Sequence, residues 1–152
     1  NQITGNGVLG QGAGVLLASG VPGNVPGIPG TGGAVYSNRV EDNFIWGNGL
    51  GGVTLHSHSP GENLNGNVIT GNFIGTNNLA PDMDFGSALY DAYTTGVVVD
   101  SVSSVSITIQ KNVIVKDDYG IWIGNVTPGA VTATGTASNL FVGVTTNVIT
   151  VP

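Results

Sequence analysis

The sequence predicts an all-β fold, a parallel β-solenoid of about four or five coils. Three observations predict it. A motif of the form Asn-x-(Ile/Val)-x-x-(Asn/Asp) recurs along the chain, a glycine-led short strand alternates with it, and no stretch shows a period of 3.6. Repetition of supersecondary units marks a wound architecture, in which each unit buries its apolar face only against the next.

The units run in order. Asn1-Gln-Ile3-Thr-Gly-Asn6 is followed by Gly14-Val-Leu-Leu17. Asn38-Arg-Val40-Glu-Asp-Asn43 is followed by Gly52-Val-Thr-Leu55, and Asn67-Val-Ile69-Thr-Gly-Asn72 by Gly96-Val-Val-Val99. Asn112-Val-Ile114-Val-Lys-Asp117 leads to Gly120-Ile-Trp-Ile123, and a partial copy, Asn147-Val-Ile149, closes the series. Apolar residues two apart, as at Val53 and Leu55 or Ile121 and Ile123, put one face of a short strand inside. Glycine before the strand suits a corner with positive φ. Asparagine tolerates the left-handed region, and its amide can bond to the asparagine of the next coil. Dense glycine and β-branched residues leave little helix.

The alternation of Gly-(Ile/Val)-x-(Leu/Ile/Val) with Asn-x-Ile-x-x-Asn-x-Ile resembles the right-handed parallel β-helix proteins of the pectin-lyase-like superfamily, in particular their short-repeat members. Asn65-Gly-Asn67-Val-Ile69-Thr-Gly-Asn72-Phe-Ile74-Gly is the best-matching segment, and the resemblance covers residues 1–17, 38–75 and 96–123. It implies a fold and is nearly silent on function. The strand-leading glycines lie 38, 44 and 24 residues apart. Coils in that family are shorter than the first two intervals, which implies inserted loops. Residues 18–37 are rich in Pro and Gly, residues 76–95 hold three acids and two tyrosines, and 124–138 departs a third time with room for an extra strand. In solenoids such insertions often share one face and carry binding. One domain accommodates all 152 residues.

Composition excludes several functions. Charged residues make up 8 %, and the three basic ones, Arg39, Lys111 and Lys116, stand in a chain of net charge −6. Three cations cannot line a groove for nucleic acid or hold an anionic membrane. An apolar fraction of 40 % argues against disorder. With no cysteine, disulfide scaffolds, thiol nucleophiles and thiolate metal sites are all absent. No apolar run is long enough to span a membrane as a helix.

Asp82, Asp84 and Asp91 are the candidate acidic site. Carboxylates two apart in a loop suit a hard cation such as Ca²⁺. Paired acids also do general acid and base work in polysaccharide-hydrolysing members of the superfamily that the chain resembles. There they sit on strands, however, and the plain alternative here is a solvated acidic loop. His56 and His58 follow a strand, and with Thr54 they are expected to point away from the core as an exposed pair. With Glu62 or the acidic loop supplying a third ligand they could clamp a borderline metal. A pectate-type lyase would need an Arg or Lys base, and the net charge repels polyuronates. Trp122, Tyr90 and Tyr93 are candidate sugar-stacking rings, together with Tyr119. Trp122 is expected to point outward between Ile121 and Ile123, and Trp46 to close a corner. Thr132, Thr134 and Thr136 form a short threonine row, with no matching rows expected in other coils.

Each end coil of a solenoid exposes a strand edge and apolar side chains, and no capping segment is evident. The chain opens at Asn1 without Met or signal peptide, and is read as a trimmed piece of a longer precursor or as a unit that stacks head to tail. The expected function is a non-catalytic, secreted or cell-surface structural solenoid, self-associating through its end coils. The alternative is a carbohydrate-binding or carbohydrate-active domain. The expectation is no cofactor, with calcium at the acidic site as the alternative.

Overall fold

In the computed structural model, residues 1–6, 13–19, 34–49, 51–57, 62–75, 94–101, 104–125 and 131–151 are described. Among them the chain forms fourteen strands, no α-helix and one 3-10 turn at Thr136–Ser138. The strands sort into three all-parallel sheets. Sheet 1 orders β1 (Gln2–Thr4), β4 (Phe44–Trp46), β7 (Phe73–Gly75), β10 (Val113–Val115) and β13 (Leu140–Val142). Sheet 2 orders β2 (Val15–Ser19), β5 (Val53–Ser57), β8 (Thr95–Ser101), β11 (Tyr119–Asn125) and β14 (Thr146–Val151). Sheet 3 orders β3 (Arg39–Glu41), β6 (Val68–Thr70), β9 (Val105–Gln110) and β12 (Val131–Thr134). Each strand pairs with those three places away in the chain. The backbone therefore winds as a parallel β-helix of five rungs, as the repeats predict.

Register places like over like. Ile3, Ile45, Ile74, Ile114 and Phe141 stack in sheet 1. Val15, Val53, Val97, Ile121 and Val148 stack in sheet 2, with Leu17, Leu55, Val99 and Ile123 beside them. Val40, Ile69 and Ile109 complete the core from sheet 3. A slip of one residue would turn each column to the other face, so the buried columns fix the register.

The corner between sheets 3 and 1 carries an asparagine ladder through all five rungs. Asn1 donates to Asn43, and each of Asn43, Asn72 and Asn112 donates its backbone N–H and side-chain amide to the Oδ1 of the next asparagine, the last being Asn139, at 2.9–3.1 Å. Asn38 over Asn67 and Asn6 over Asn48 repeat the device at the other two corners. The ladder differs from its expected form in two ways. The left-handed residue is the one before the asparagine: Gly5, Ser37, Asp42, Gly47, Gly66, Gly71 and Lys111 all have φ between 55° and 72°. The fifth ladder member is Asn139, whereas Asn147 lies in β14, one residue before the inward Val148.

The strand-leading glycines also have a different cause from the expected one. Gly14, Gly96 and Gly120 are not among the positive-φ residues. They are small because the next rung leaves no room. A Cβ on Gly14 would stand 2.6 Å from the Gly52 carbonyl oxygen, and one on Gly120 would stand 2.4 Å from the Phe141 ring.

The corner from sheet 3 to sheet 1 is short, two residues between β3 and β4, β6 and β7, and β9 and β10. The long connections all enter or leave sheet 2, as between β1 and β2, β2 and β3, and β7 and β8. Of the stretches expected to be inserted, 18–37 includes the end of β2 and an isolated bridge from Ala34 to Asn63, and 124–138 contains β12, a full strand of sheet 3. Residues 20–33 and 76–93 lie outside the described residues.

Candidate functional site

Alternation along each strand sends every second side chain outward, so three outer faces are available. They differ sharply. The outer face of sheet 2 holds Thr54, His56, Val98, Asp100 and Trp122, all at most 6 % exposed. The burial holds on rungs two to four, whereas Leu16, the outward residue of rung one, is 52 % exposed. The outer faces of sheets 1 and 3 are largely open to solvent.

On sheet 2, His56 and Asp100 are register partners on adjacent rungs. His56 Nδ1 lies 3.8 Å from Asp100 Oδ2, and both side chains are under 10 % exposed. On the next rung the matching position is Gly124. The missing side chain leaves space for the Trp122 indole: a Cβ there would stand 2.1 Å from Trp122 Cη2 and 3.2 Å from Asp100 Oδ1. Trp122 also shares a buried apolar cluster with Val98 and Ala13, against which Tyr119 and Ile149 pack. His56, Asp100 and Trp122 thus form one buried cluster spanning three rungs.

Two expectations are corrected here. His56 does point off the core, but it is buried beside a carboxylate and is not half of an exposed pair. Trp122 also leaves the core side of its strand, yet it is 2 % exposed, so its ring is closed to a sugar. Both belong to the buried part of this face, His56 opposite Asp100 and Trp122 in a cluster with Val98 and Ala13. His58, Asp82, Asp84, Asp91, Tyr90 and Tyr93 lie outside the described residues. Glu62 is buried, and among the described residues no three His, Asp or Glu side chains group as metal ligands. Asp100 escaped the sequence reading, although counting four residues on from each strand-leading glycine aligns Ala18, His56, Asp100 and Gly124.

An exposed ion pair, Arg39 to Glu41 at 2.8 Å, sits on sheet 3 with side chains 57 % and 47 % exposed. Exposed pairs are worth roughly 0–1 kcal/mol. Glu41→Ala should therefore shift the unfolding free energy by less than about 1 kcal/mol, while Asp100→Ala, which removes a buried carboxylate from beside His56, should cost at least about 2 kcal/mol. Urea denaturation of the two variants side by side checks this.

The outer face of sheet 1 is apolar from rung two to rung five and partly open, with Gly75 and Val115 buried on it. Its outward positions from rung one to rung five are Gln2 and Thr4, Phe44 and Trp46, Phe73 and Gly75, Val113 and Val115, and Leu140 and Val142. None is ionisable. Phe44 is 40 % exposed, Leu140 58 % and Val142 49 %. The Phe44, Trp46 and Phe73 rings lie parallel within 14°, with centroids 5.1–6.1 Å apart. A spacing of 5.1 Å is too short for rings tiled edge to edge, so Phe44 and Phe73 overlap as offset plates. Trp46 ends β4 on this face and does not close a corner; it leans toward Gly75, where a Cβ would stand 2.9 Å from its Cζ3. The sequence signal for this row is a phenylalanine after the ladder asparagine in two consecutive rungs, Asn43-Phe44-Ile45 and Asn72-Phe73-Ile74.

On sheet 3, Thr132 and Thr134 face out opposite Ser106 and Thr108. A matching hydroxyl row therefore does exist, on one neighbouring rung, with Thr108 and Thr134 hydroxyls 3.3 Å apart.

A family model described as a protein of unknown function, DUF1565, matches residues 30–151. No curated protein and no solved structure matches the chain.

Proposed function

Because the chain belongs to the DUF1565 family, whose description names no activity, we propose from its geometry that it is a non-catalytic surface solenoid. It is a rigid scaffold that presents a binding face rather than a reaction centre. One observation carries this reading. Among the described residues the His–carboxylate pair suited to proton transfer, His56 and Asp100, is buried on sheet 2, while the outer face of sheet 1 is uncharged and exposes Phe44, Leu140 and Val142. General acid–base work needs a titratable group within hydrogen-bond reach of substrate. The likeness to the pectin-lyase-like superfamily is part of the same proposal, and it suits a secreted or cell-surface protein that meets polysaccharides. A reducing-sugar assay over neutral and acidic polysaccharides tests the reading. We expect no release above background. Release above background by the purified protein would overturn it.

A second reading, axial self-association, is favoured by the fifth rung. Val148, an inward member of a core column, is 39 % exposed there, and Phe141 and Val144 are half-buried. A chain stacked on this rung would cover them. Negative-stain electron microscopy decides: regular filaments support stacking, and monodisperse particles at high concentration refute it.

A further inference from the structure

We infer that Asp117 keeps a proton at neutral pH and donates it to the Ile74 carbonyl, so that the hold between rungs three and four depends on pH. The inference stands on ladder geometry and is independent of the scaffold reading.

The corner from sheet 1 to sheet 2 is aligned by register. Thr4, Trp46, Gly75, Val115 and Val142 lie over one another. On four rungs the next residue is left-handed: Gly5, Gly47, Lys116 and Gly143 have φ between 56° and 71°. The residue after it is Asn6 on rung one, Asn48 on rung two, Asp117 on rung four and Val144 on rung five. Asn48 is 0 % exposed and Asp117 2 %. A buried carboxyl group therefore stands in the place of a ladder amide.

The ladder amides act in a constant way. Asn48 Oδ1 accepts from the backbone and side chain of Asn6 on the rung before. Its Nδ2 donates to the carbonyl three residues ahead of Asn6, that of Ile3, at 3.1 Å. Asn67 donates by the same rule to Val35, Asn72 to Val40, Asn112 to Ile69 and Asn139 to Ile109, at 2.7–3.0 Å. For Asp117 the corresponding acceptor is the carbonyl of Ile74, which is in register with Ile3 through Ile45.

A second observation shows which oxygen takes the donor's place. A Cβ on Gly14 would stand 2.6 Å from Ile45 Cγ2 and 2.8 Å from Asn48 Nδ2. A Cβ on Gly96, the strand-leading glycine of rung three, would stand 2.7 Å from Ile114 Cγ2 and 3.4 Å from Asp117 Oδ2. The neighbours correspond two rungs further along, so Asp117 Oδ2 occupies the position of Asn48 Nδ2. An ionised oxygen there would face a carbonyl oxygen in a site closed to water, which is costly. A retained proton restores the donor, and both burial and a hydrogen bond made by the neutral form favour it.

The charged groups nearby do not reverse this. Lys116 precedes Asp117 and is exposed. Asp118 follows it, and its Oδ2 accepts from the Thr94 backbone N–H at 3.0 Å and hydroxyl at 3.1 Å. Strands β7 and β10 and the rung-five corner at 143–145 have no ionisable residue, and on β8 Asp100 lies four residues beyond Gly96, beside His56. On β11 Tyr119 is a phenol, neutral until about pH 10.

The sign follows from linkage. In the unfolded chain this carboxyl ionises near about pH 3.9. The folded chain releases the proton at higher pH, so the stability it contributes is complete in acid and is lost as pH rises through the folded value.

The test is urea unfolding of the whole chain, Asp117→Asn and Asp118→Asn at about pH 4 and about pH 8. Asparagine is a permanent donor. Asp117→Asn should therefore raise the midpoint at the higher pH and lose that advantage at the lower one, where the native carboxyl carries its proton. Asp118→Asn, which alters no ladder position, should not show this pattern. Carbon-13 NMR of the unmutated chain gives a readout that needs no stable variant: one carboxyl resonance, the one absent from Asp117→Asn, should fail to titrate in the usual carboxylate range. A lower midpoint for Asp117→Asn at the higher pH overturns the inference. So does a gain of the same size at both pH values, or a resonance of Asp117 that titrates like an exposed acid.

Discussion

Asn72→Ala should cost about 4 kcal/mol of folding stability, a large share of the roughly 5–15 kcal/mol that holds a domain together. Asn72 is 1 % exposed and sits at the middle of the five-rung ladder. Its amide donates to the Val40 carbonyl at 2.8 Å, the Thr70 carbonyl at 3.1 Å and Asn112 Oδ1 at 3.0 Å. Its Oδ1 accepts from the Asn43 backbone N–H at 3.0 Å and side-chain amide at 3.1 Å. Alanine leaves these groups facing a void between rungs. Each stranded buried group costs about 1–3 kcal/mol, and some relaxation is expected. Asn72→Asp should be comparably damaging, because a carboxylate keeps the acceptors but cannot donate to Val40, Thr70 or Asn112. Asn1→Ala is the control. Asn1 is exposed and has one ladder bond, to Asn43 at 3.1 Å, so its loss should cost under about 1 kcal/mol. Urea midpoints at constant slope read the difference. Equal effects at Asn1 and Asn72 would mean that the ladder does not hold the rungs together.

Gly96→Ala should cost about 3 kcal/mol, and Gly47→Ala about 1 kcal/mol. The two glycines look alike in sequence but have different causes. Gly47 has φ +64°, and no atom lies within 4 Å of where its Cβ would stand, so alanine there meets only the left-handed backbone penalty. Gly96 has no unusual φ, but a Cβ would stand 2.7 Å from Ile114 Cγ2 and 2.8 Å from the Gly120 carbonyl oxygen. Ile114 is fully buried in its column, and Gly120 belongs to the paired strand, so neither can retreat without prising rungs apart. Thermal melts of both variants rank them. If Gly47→Ala is the worse, close approach between rungs is not why glycine leads these strands.

How much of this was legible in the sequence follows from range. The inward columns were legible because Val and Ile recur two apart in each strand and at fixed offsets from a glycine or asparagine, and those offsets are local. The ladder was legible as a set of asparagines, but its geometry was only half so. Asn139 is followed by Leu140-Phe141 rather than x-Ile, so the fifth copy hid behind a change of core residue, while Asn147 imitated the motif inside a strand. The role of the residue before each asparagine was hidden because Ser37, Asp42 and Lys111 occupy a conformation where glycine would be expected.

The site was less legible than the fold. Alternation placed His56 and Trp122 off the core, and that is where they are. What it could not show is that these positions are buried, since Ala13, Val98 and Trp122, which share one buried cluster, are far apart in the sequence. Asp100 became part of the cluster only once rung two was laid on rung three. The apolar face of sheet 1 required the same step: Phe44 and Phe73 are 29 residues apart in the sequence, yet their rings are 5.1 Å apart.

Rung-on-rung register underlies every feature above, and disulfide trapping tests it most directly. The chain has no cysteine of its own. Thr108 and Thr134 are register partners in sheet 3, with facing hydroxyls 3.3 Å apart. Neighbouring strands bring Cα atoms within the roughly 4.4–6.8 Å that a disulfide spans. Ser106 and Thr134 also face outward, but they are offset by two residues, about 8 Å apart. Under mild oxidation, the Thr108→Cys/Thr134→Cys variant should close an intramolecular disulfide in high yield, and Ser106→Cys/Thr134→Cys should not. Closure of the offset pair in preference to the aligned one would contradict the stacking.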